Sequence, residues 1–184
     1  MQKRCGAVVY SPSDLIRYFA SPFASWMDRH YLENPDGFSP DEETENQKLV
    51  ARTGDRHEIS VLTELKVATP ELVEIPKDDF AKARSETLSA ISAKVPIIFQ
   101  AALDAGQFAG FADFLVLDGS GRYQVWDTKL ALTPKPYYAI QLCCYAEMLI
   151  SPLRPETQFL NLQAARLRNW SPRRGFNAGH ARTV

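Results

Sequence analysis

The feature that most constrains the fold is a pair of strand-like runs that carry carboxylates among apolar residues. Residues 108–118 and 123–131 are both rich in aromatic and branched side chains, which favour β-strands. The four residues between them, Asp-Gly-Ser-Gly at 118–121, have the composition of a hairpin turn. The sequence therefore predicts two adjacent antiparallel strands.

The turn also predicts which residues of the two strands face each other. Asp113 and Asp127 each lie seven residues from Ser120, so a turn centred on Ser120 sets them opposite one another. Side chains alternate along a strand, so Lys129 shares this face. Carboxylates roughly 5 Å apart at Cβ repel each other and destabilise a sheet. In a half-buried hairpin this pair favours a divalent-cation site over the plainer alternative, an Asp–Lys ion pair at a strand end.

Combined with the segment that follows it, the hairpin resembles a known group of nucleases. The pattern is one aspartate, an Asp-x-Lys triplet and a Gln-x-x-x-Tyr pair on a helix: Asp113, Asp127, Thr128, Lys129, Gln141 and Tyr145. This pattern resembles the PD-(D/E)XK nuclease superfamily, and within it the RecB-like nuclease family. The resemblance covers residues 11–149.

The resemblance implies a fold and an activity. The fold is α/β with a restriction-endonuclease-like core, in which helices flank a mixed central β-sheet and a helical segment precedes it. The activity is metal-dependent hydrolysis of nucleic-acid phosphodiester bonds with Mg²⁺ or Mn²⁺, with DNA as the expected substrate and DNA repair as the setting. Similar proteins often continue into a helicase or ribonuclease-H-like domain.

The third expected metal ligand lies on a helix predicted over residues 47–65. One face of that helix repeats at steps of three and four: Val50, Gly54, His57, Val61 and Leu65. A lone histidine on such a face is usually a satisfied core residue, but RecB-like nucleases carry a Gly-x-x-x-His-type motif whose histidine helps to bind the metal, and residues 53–57 resemble it. We therefore expect His57 as a ligand, with Glu58, turned by about 100°, as the alternative. Gly54 is expected to let this helix approach the sheet.

The resemblance also implies roles for the other matched residues. Asp113 and Asp127 would hold the metal with His57, assisted by the backbone carbonyl of Thr128, whose side chain should alternate to the opposite face. Lys129 would position the attacking water and offset developing charge. Two helical residues would orient the scissile strand and that lysine: Gln141 and Tyr145. From the residues alone, those two need only a buried hydrogen-bond partner each.

The composition indicates one ordinary globular domain, because 45% of the 184 residues are hydrophobic and 23% are charged. No apolar run approaches the ~20 residues of a membrane span, and the first nine residues lack the apolar segment of a secretory signal. We expect a cytoplasmic protein with no membrane partner. The three cysteines form no metal-binding motif. Iron–sulphur relatives of the family carry a cysteine near the position of Pro22, where this chain has Ser21, and the sequence has no downstream cysteine cluster, so no iron–sulphur cluster is expected.

The remaining segments are expected to form structural elements without a functional role. Ser13 is expected to cap a first helix that Pro22 restarts, and the aromatic side chains of the second helix are expected to pack in the core: Phe23, Trp26 and Tyr31. Further elements are an edge strand at 72–75, a helix from Asp78 or Asp79 to residue 94, a strand at 95–103 and a helix at 137–150. Gln100 either faces the site or only makes a hydrogen bond, and we assign it no role.

Residues 1–150 are expected to form the nuclease domain, and residues 151–184 a basic C-terminal tail. The tail has six arginines and one acidic residue. Residues 157–162 predict a last core strand, and the rest of the tail is expected to be disordered or truncated. Two other hypotheses remain open: a non-catalytic nucleic-acid-binding or assembly module that keeps the nuclease fold, and an inactive fragment of a larger nuclease or helicase protein.

Overall fold

A computed structural model describes residues 1–4, 6–37, 41–129 and 135–150, together with the backbone of residues 165–168. In chain order the elements are β1 (Gln2–Arg4), β2 (Ala7–Val9), α1 (Pro12–Ala20), α2 (Pro22–Glu33), α3 (Glu45–Ala68), β3 (Val73–Glu74), α4 (Phe80–Ser92), β4 (Ile97–Ala105), β5 (Phe108–Leu117), β6 (Tyr123–Thr128), α5 (Pro136–Ile150) and β7 (Ala165–Arg168). None of the helices in these ranges is both long and apolar enough to cross a membrane.

The main sheet is mixed and has the strand order β3-β4-β5-β6-β7. Its two outer pairs, β3 with β4 and β6 with β7, are parallel, whereas the two inner pairs are antiparallel. A separate two-stranded antiparallel sheet, β1 with β2, precedes the helices and was not predicted. The predicted α/β class with a mixed central sheet is confirmed.

Helices cover both faces of the main sheet. Consecutive residues of β5 point to opposite faces, and each face packs against different helices. Phe114, which is fully buried, packs in one cluster with Val61 and Leu65 of α3. Its neighbour Leu115 packs in the other cluster with residues of α4 and α5, including Leu142. The hairpin that carries the predicted aspartates is therefore enclosed between two helical layers.

The first helix begins two residues earlier than the predicted cap implied. Ser11 is the N-cap, and a capping box joins it to Asp14: the Asp14 backbone N–H donates to Ser11 Oγ at 3.3 Å, and the Ser11 N–H donates to Asp14 Oδ2 at 2.7 Å. The prediction of Ser13 was wrong because Pro12, whose fixed φ suits the first helical position, already lies inside the helix. Ser21 caps α2 ahead of Pro22, as the predicted restart requires.

The aromatic residues of α2 do not pack in the core, which contradicts the prediction. Phe23 is 71% exposed and Trp26 56% exposed, and no residue of α2 is buried. Their rings stack on each other, with centroids 6.0 Å apart. The prediction was wrong because α2 packs mainly against α1 and not against the sheet.

Only the C-terminal half of α3 packs on the sheet. Val61 and Leu65 are buried as predicted, whereas Val50 is 70% exposed. A Cβ built on Gly54 would meet no atom within 4 Å. The expected close approach of the helix at Gly54 is therefore wrong, since this glycine lies in the half of α3 that extends beyond the sheet.

The other predicted elements form with small shifts at their ends. The edge strand is β3, Asp79 caps α4 by accepting from the Ala81 N–H at 2.8 Å, and the 95–103 strand and 137–150 helix correspond to β4 and α5. The strand predicted at 157–162 lies outside the described residues. The last strand of the sheet is β7, which runs parallel to β6.

Candidate functional site

The turn between β5 and β6 is organised by the side chain of Asp118. Its Oδ1 accepts hydrogen bonds from the backbone N–H groups of Ser120 at 2.9 Å and Arg122 at 3.1 Å. These bonds fix a register in which Phe114 pairs with Trp126 and Leu117 with Tyr123. Continued by one residue, this register sets Asp113 opposite Asp127, as the turn predicted.

Asp113 is held by the end of the neighbouring strand. Its Oδ2 accepts from the backbone N–H of Thr128 at 3.0 Å and from the Thr128 hydroxyl at 3.3 Å. The expectation that the Thr128 side chain turns away was wrong. Thr128 is the last residue of β6, and the Asp113 carboxylate reaches both its backbone N–H and its hydroxyl at this strand end.

Asp127 is almost completely buried, with 2% of its side chain exposed. Lys129 Nζ lies 2.9 Å from each of its two oxygens and donates a hydrogen bond to Oδ1. Gln141 Nε2, on α5, donates to the same Oδ1 at 3.4 Å. The hairpin and α5 therefore bring together Asp127, Lys129 and Gln141. The Asp–Lys ion pair, the plainer alternative to a metal site, is also present.

The surroundings of Asp127 disfavour its negative charge. Burial, and after it the charge of Asp113, raise the pKa of Asp127 to about 7, although Lys129 opposes the shift. A single lysine thus offsets only part of the cost of two adjacent carboxylates. An additional cation at this position would stabilise the charged forms of both side chains.

Tyr145 lies one helical turn beyond Gln141 and is 7% exposed. A Cβ at Gly110, on β5, would lie 3.1 Å from Tyr145 Oη and 3.3 Å from Pro12 Cδ, so the absence of a side chain lets the ring approach the strand. Burial raises the pKa of Tyr145, and the charges of Asp113 and Asp127 raise it further. Its hydroxyl is therefore neutral and lies within the electrostatic influence of both carboxylates.

The α3 helix contributes a carboxylate that was expected only as the alternative. Glu58 accepts a hydrogen bond from the side-chain amide of Gln100, on β4. Burial raises the pKa of Glu58, and the charge of Asp113 raises it further. His57 Nε2 is buried without a hydrogen-bond partner. No hydrogen bond or ion pair among the described residues joins His57 to these carboxylates.

Gln100 is the residue of this site to which the sequence assigned no role. It is 6% exposed and lies in a strand whose first seven residues are all buried. A single amide inside such an apolar run was the available signal, because a buried polar side chain needs a specific partner. That partner, Glu58, lies 42 residues earlier in the chain, a separation that strand periodicity cannot bridge.

The side chains of the site fit a hard divalent cation in their chemistry. In the described part of the chain, two buried side-chain atoms make no hydrogen bond, His57 Nε2 and Asp127 Oδ2, although Lys129 Nζ lies 2.9 Å from the latter. Both belong to predicted metal ligands, and carboxylate oxygen is the donor that Mg²⁺ and Mn²⁺ prefer. Within the described ranges, no group of three or more His, Cys, Asp or Glu side chains is arranged so that it could hold a metal ion.

Comparison with known proteins assigns the chain to no family. No protein-family model, no curated protein and no solved structure matches it. The resemblance to RecB-like nucleases therefore stays a prediction.

Proposed function

We propose that this protein is a metal-dependent nuclease that hydrolyses phosphodiester bonds of DNA on a restriction-endonuclease-like core. The observation that carries the proposal is the surroundings of Asp127, which is buried, faces Asp113 and has Lys129 as its one cationic contact among the described residues. Two such carboxylates destabilise a hairpin unless a cation offsets their charge. A perturbed, buried acid beside a second acid is typical of a functional site.

Asp113, Asp127 and His57 are the proposed metal ligands, with the Thr128 carbonyl in support. The unpartnered Nε2 of His57 favours this assignment, and the interaction of Glu58 with Asp113 favours Glu58 as a further carboxylate of the site. Bound Mg²⁺ or Mn²⁺ would activate a water molecule for attack and offset charge on the phosphate.

The chain's own cation and amide act next to this position. Lys129 Nζ is fixed by its contact with Asp127, which places a positive charge where a phosphate gains negative charge during attack. Gln141 contacts the same Asp127 oxygen and restricts the orientation of that carboxylate. Tyr145 offers a neutral hydroxyl donor from the same side of α5.

A cleavage assay on end-labelled single- and double-stranded DNA tests this proposal. We expect wild-type protein to cut at least one substrate with Mn²⁺ and neither with excess chelator. The matched control is Asp127→Asn, which keeps the shape of the side chain but removes its charge, and we expect it to fold without cutting. Absence of Mn²⁺-dependent cleavage by the wild type would contradict the proposal.

One observation favours a second candidate, a non-catalytic nucleic-acid-binding module that keeps the same fold. The Lys129 ammonium already pairs with Asp127, and an intact ion pair needs no metal. This candidate predicts that wild-type protein binds labelled DNA equally well with chelator and with Mn²⁺, and that neither condition gives cleavage.

A further inference from the structure

Gln100 has an unusual backbone conformation in the interior of β4. Its φ is 57°, in the left-handed region that residues other than glycine rarely adopt. The β4–β5 pairing joins Phe99 to Phe114 and Ala101 to Ala112 and omits Gln100, whose place in the register is opposite Asp113. Such conformations cost stability and are concentrated at functional sites. The strand is thus distorted at the position that faces a proposed catalytic aspartate.

The side chain of Gln100 ties α3 to the sheet at this point. Its buried Nε2 donates to a carboxylate oxygen of Glu58, which is half-buried on α3. The charges of Asp113 and Lys77 both act on Glu58, with opposite signs. Without the amide bond, repulsion from Asp113 would favour rotation of Glu58 away from the site.

We propose that Gln100 is a positioning residue that holds Glu58 at the strand position opposite Asp113, so that Glu58 becomes a further carboxylate of the metal site. The inference rests on the proposed nuclease function and deepens it by assigning what β4 and α3 contribute. Partners that orient a metal ligand through a hydrogen bond typically change metal affinity by about 10–100-fold when they are lost.

The competing explanation is that Gln100 only satisfies a buried carboxylate. The two explanations differ in what a substitution changes. Loss of a purely structural hydrogen bond lowers stability and leaves metal affinity unaltered, whereas loss of a positioning bond lowers metal affinity through Glu58 alone. Gln100→Gly separates them, because glycine adopts positive φ without strain and lacks the amide.

Calorimetric titration of Mn²⁺ into the metal-free full chain tests the proposal. We expect Gln100→Gly to melt within ~4 °C of the wild type and to bind Mn²⁺ about 10–100-fold more weakly. Glu58→Gln should weaken binding similarly, and the double variant should be no weaker than Glu58→Gln, because the two residues act as one unit. Gln100→Asn gives a second variant that tolerates the left-handed backbone but has an amide one methylene shorter, and we expect the same loss of affinity.

Lys94→Gly is the matched control. Lys94 is exposed and has a φ of 55°, so this substitution makes the same backbone change away from the site. We expect it to bind Mn²⁺ as the wild type does.

Three results would overturn the proposal. If the wild type binds Mn²⁺ and cuts DNA but Gln100→Gly binds Mn²⁺ equally well, the inference fails and the nuclease function stands. If the losses from Gln100→Gly and Glu58→Gln add in the double variant, Gln100 does not act through Glu58. If the wild type itself binds no Mn²⁺, both the inference and the proposed function fail. Should Gln100→Gly not fold, Gln100→Asn is judged by the same criteria.

Discussion

At the scale of single residues, the surroundings of Asp127 disfavour its charged form. It is buried, it faces Asp113, and Lys129 offsets only part of the resulting cost. A group of this kind makes the stability of the fold depend on pH and on cations. Its contribution can therefore be measured without knowledge of the substrate.

The first prediction concerns pH. Burial and the charge of Asp113 raise the pKa of Asp127 from 3.8 to about 7, so the folded protein binds more protons than the unfolded chain between those values. The free energy of unfolding of the metal-free protein should therefore fall as pH rises from about 4 to about 7. Urea unfolding at several pH values in chelator measures this slope.

Asp127→Asn is the control for that slope, because it has no proton to lose at this position. The raised pKa of Glu58 affects the wild type and the variant alike. The difference between their free energies of unfolding, followed against pH, therefore reports on Asp127. Parallel curves for the two proteins would contradict the assigned shift.

The second prediction concerns Lys129→Arg. If Lys129 only balances Asp127, arginine should serve as well, because both carry one positive charge. If Lys129 positions an attacking water beside the phosphate, the larger planar group should displace it, and ~1 Å of displacement can cost roughly 100-fold in rate. We expect a folded variant that still binds Mn²⁺ and cleaves about 100-fold more slowly in single-turnover assays. Cleavage near the wild-type rate would remove Lys129 from the catalytic residues.

At the scale of elements, the sequence predicted those whose signal is local. The turn composition at 118–121 predicted the hairpin and its register, and helical spacing predicted α3, α4 and α5. Periodicity shows which side chains share a face, but not which element covers that face. For this reason the aromatic residues of α2 and the N-terminal half of α3 were expected to be buried and are exposed.

The third prediction compares two glycines that the sequence could not distinguish. An alanine Cβ at Gly110 would lie 3.1 Å from Tyr145 Oη and 3.3 Å from Pro12 Cδ, both on buried residues, so Gly110→Ala should destabilise the protein by about 1–3 kcal/mol. Gly54 lies in open space on a helix, so Gly54→Ala should stabilise it by about 0.5–1 kcal/mol. Urea unfolding measures the change in the free energy of unfolding for both variants. Equal changes would contradict the close packing around Gly110.

At the scale of the whole molecule, the candidate site draws on four parts of the chain: the β5–β6 hairpin, β4, α3 and α5. The β5–β6 hairpin supplies Asp113 and Asp127, α5 supplies Gln141, and α3 supplies Glu58 through Gln100 of β4. The turn composition predicted the contribution of the hairpin, and the resemblance to RecB-like nucleases implied that of Gln141. The contact between α3 and β4 depends on tertiary packing and on a left-handed residue within a strand, and neither leaves a periodic signal.

The central claim is that the opposed aspartates of the hairpin form a metal site, and thermal unfolding with and without Mn²⁺ tests it most directly. A metal that binds only the folded state at 100 times its Kd adds about 2.7 kcal/mol, roughly 5–10 °C for a chain of this size. We predict a rise of that order for the wild type and none for Asp127→Asn. An unchanged wild-type melting temperature, or an equal rise in both proteins, would contradict the claim.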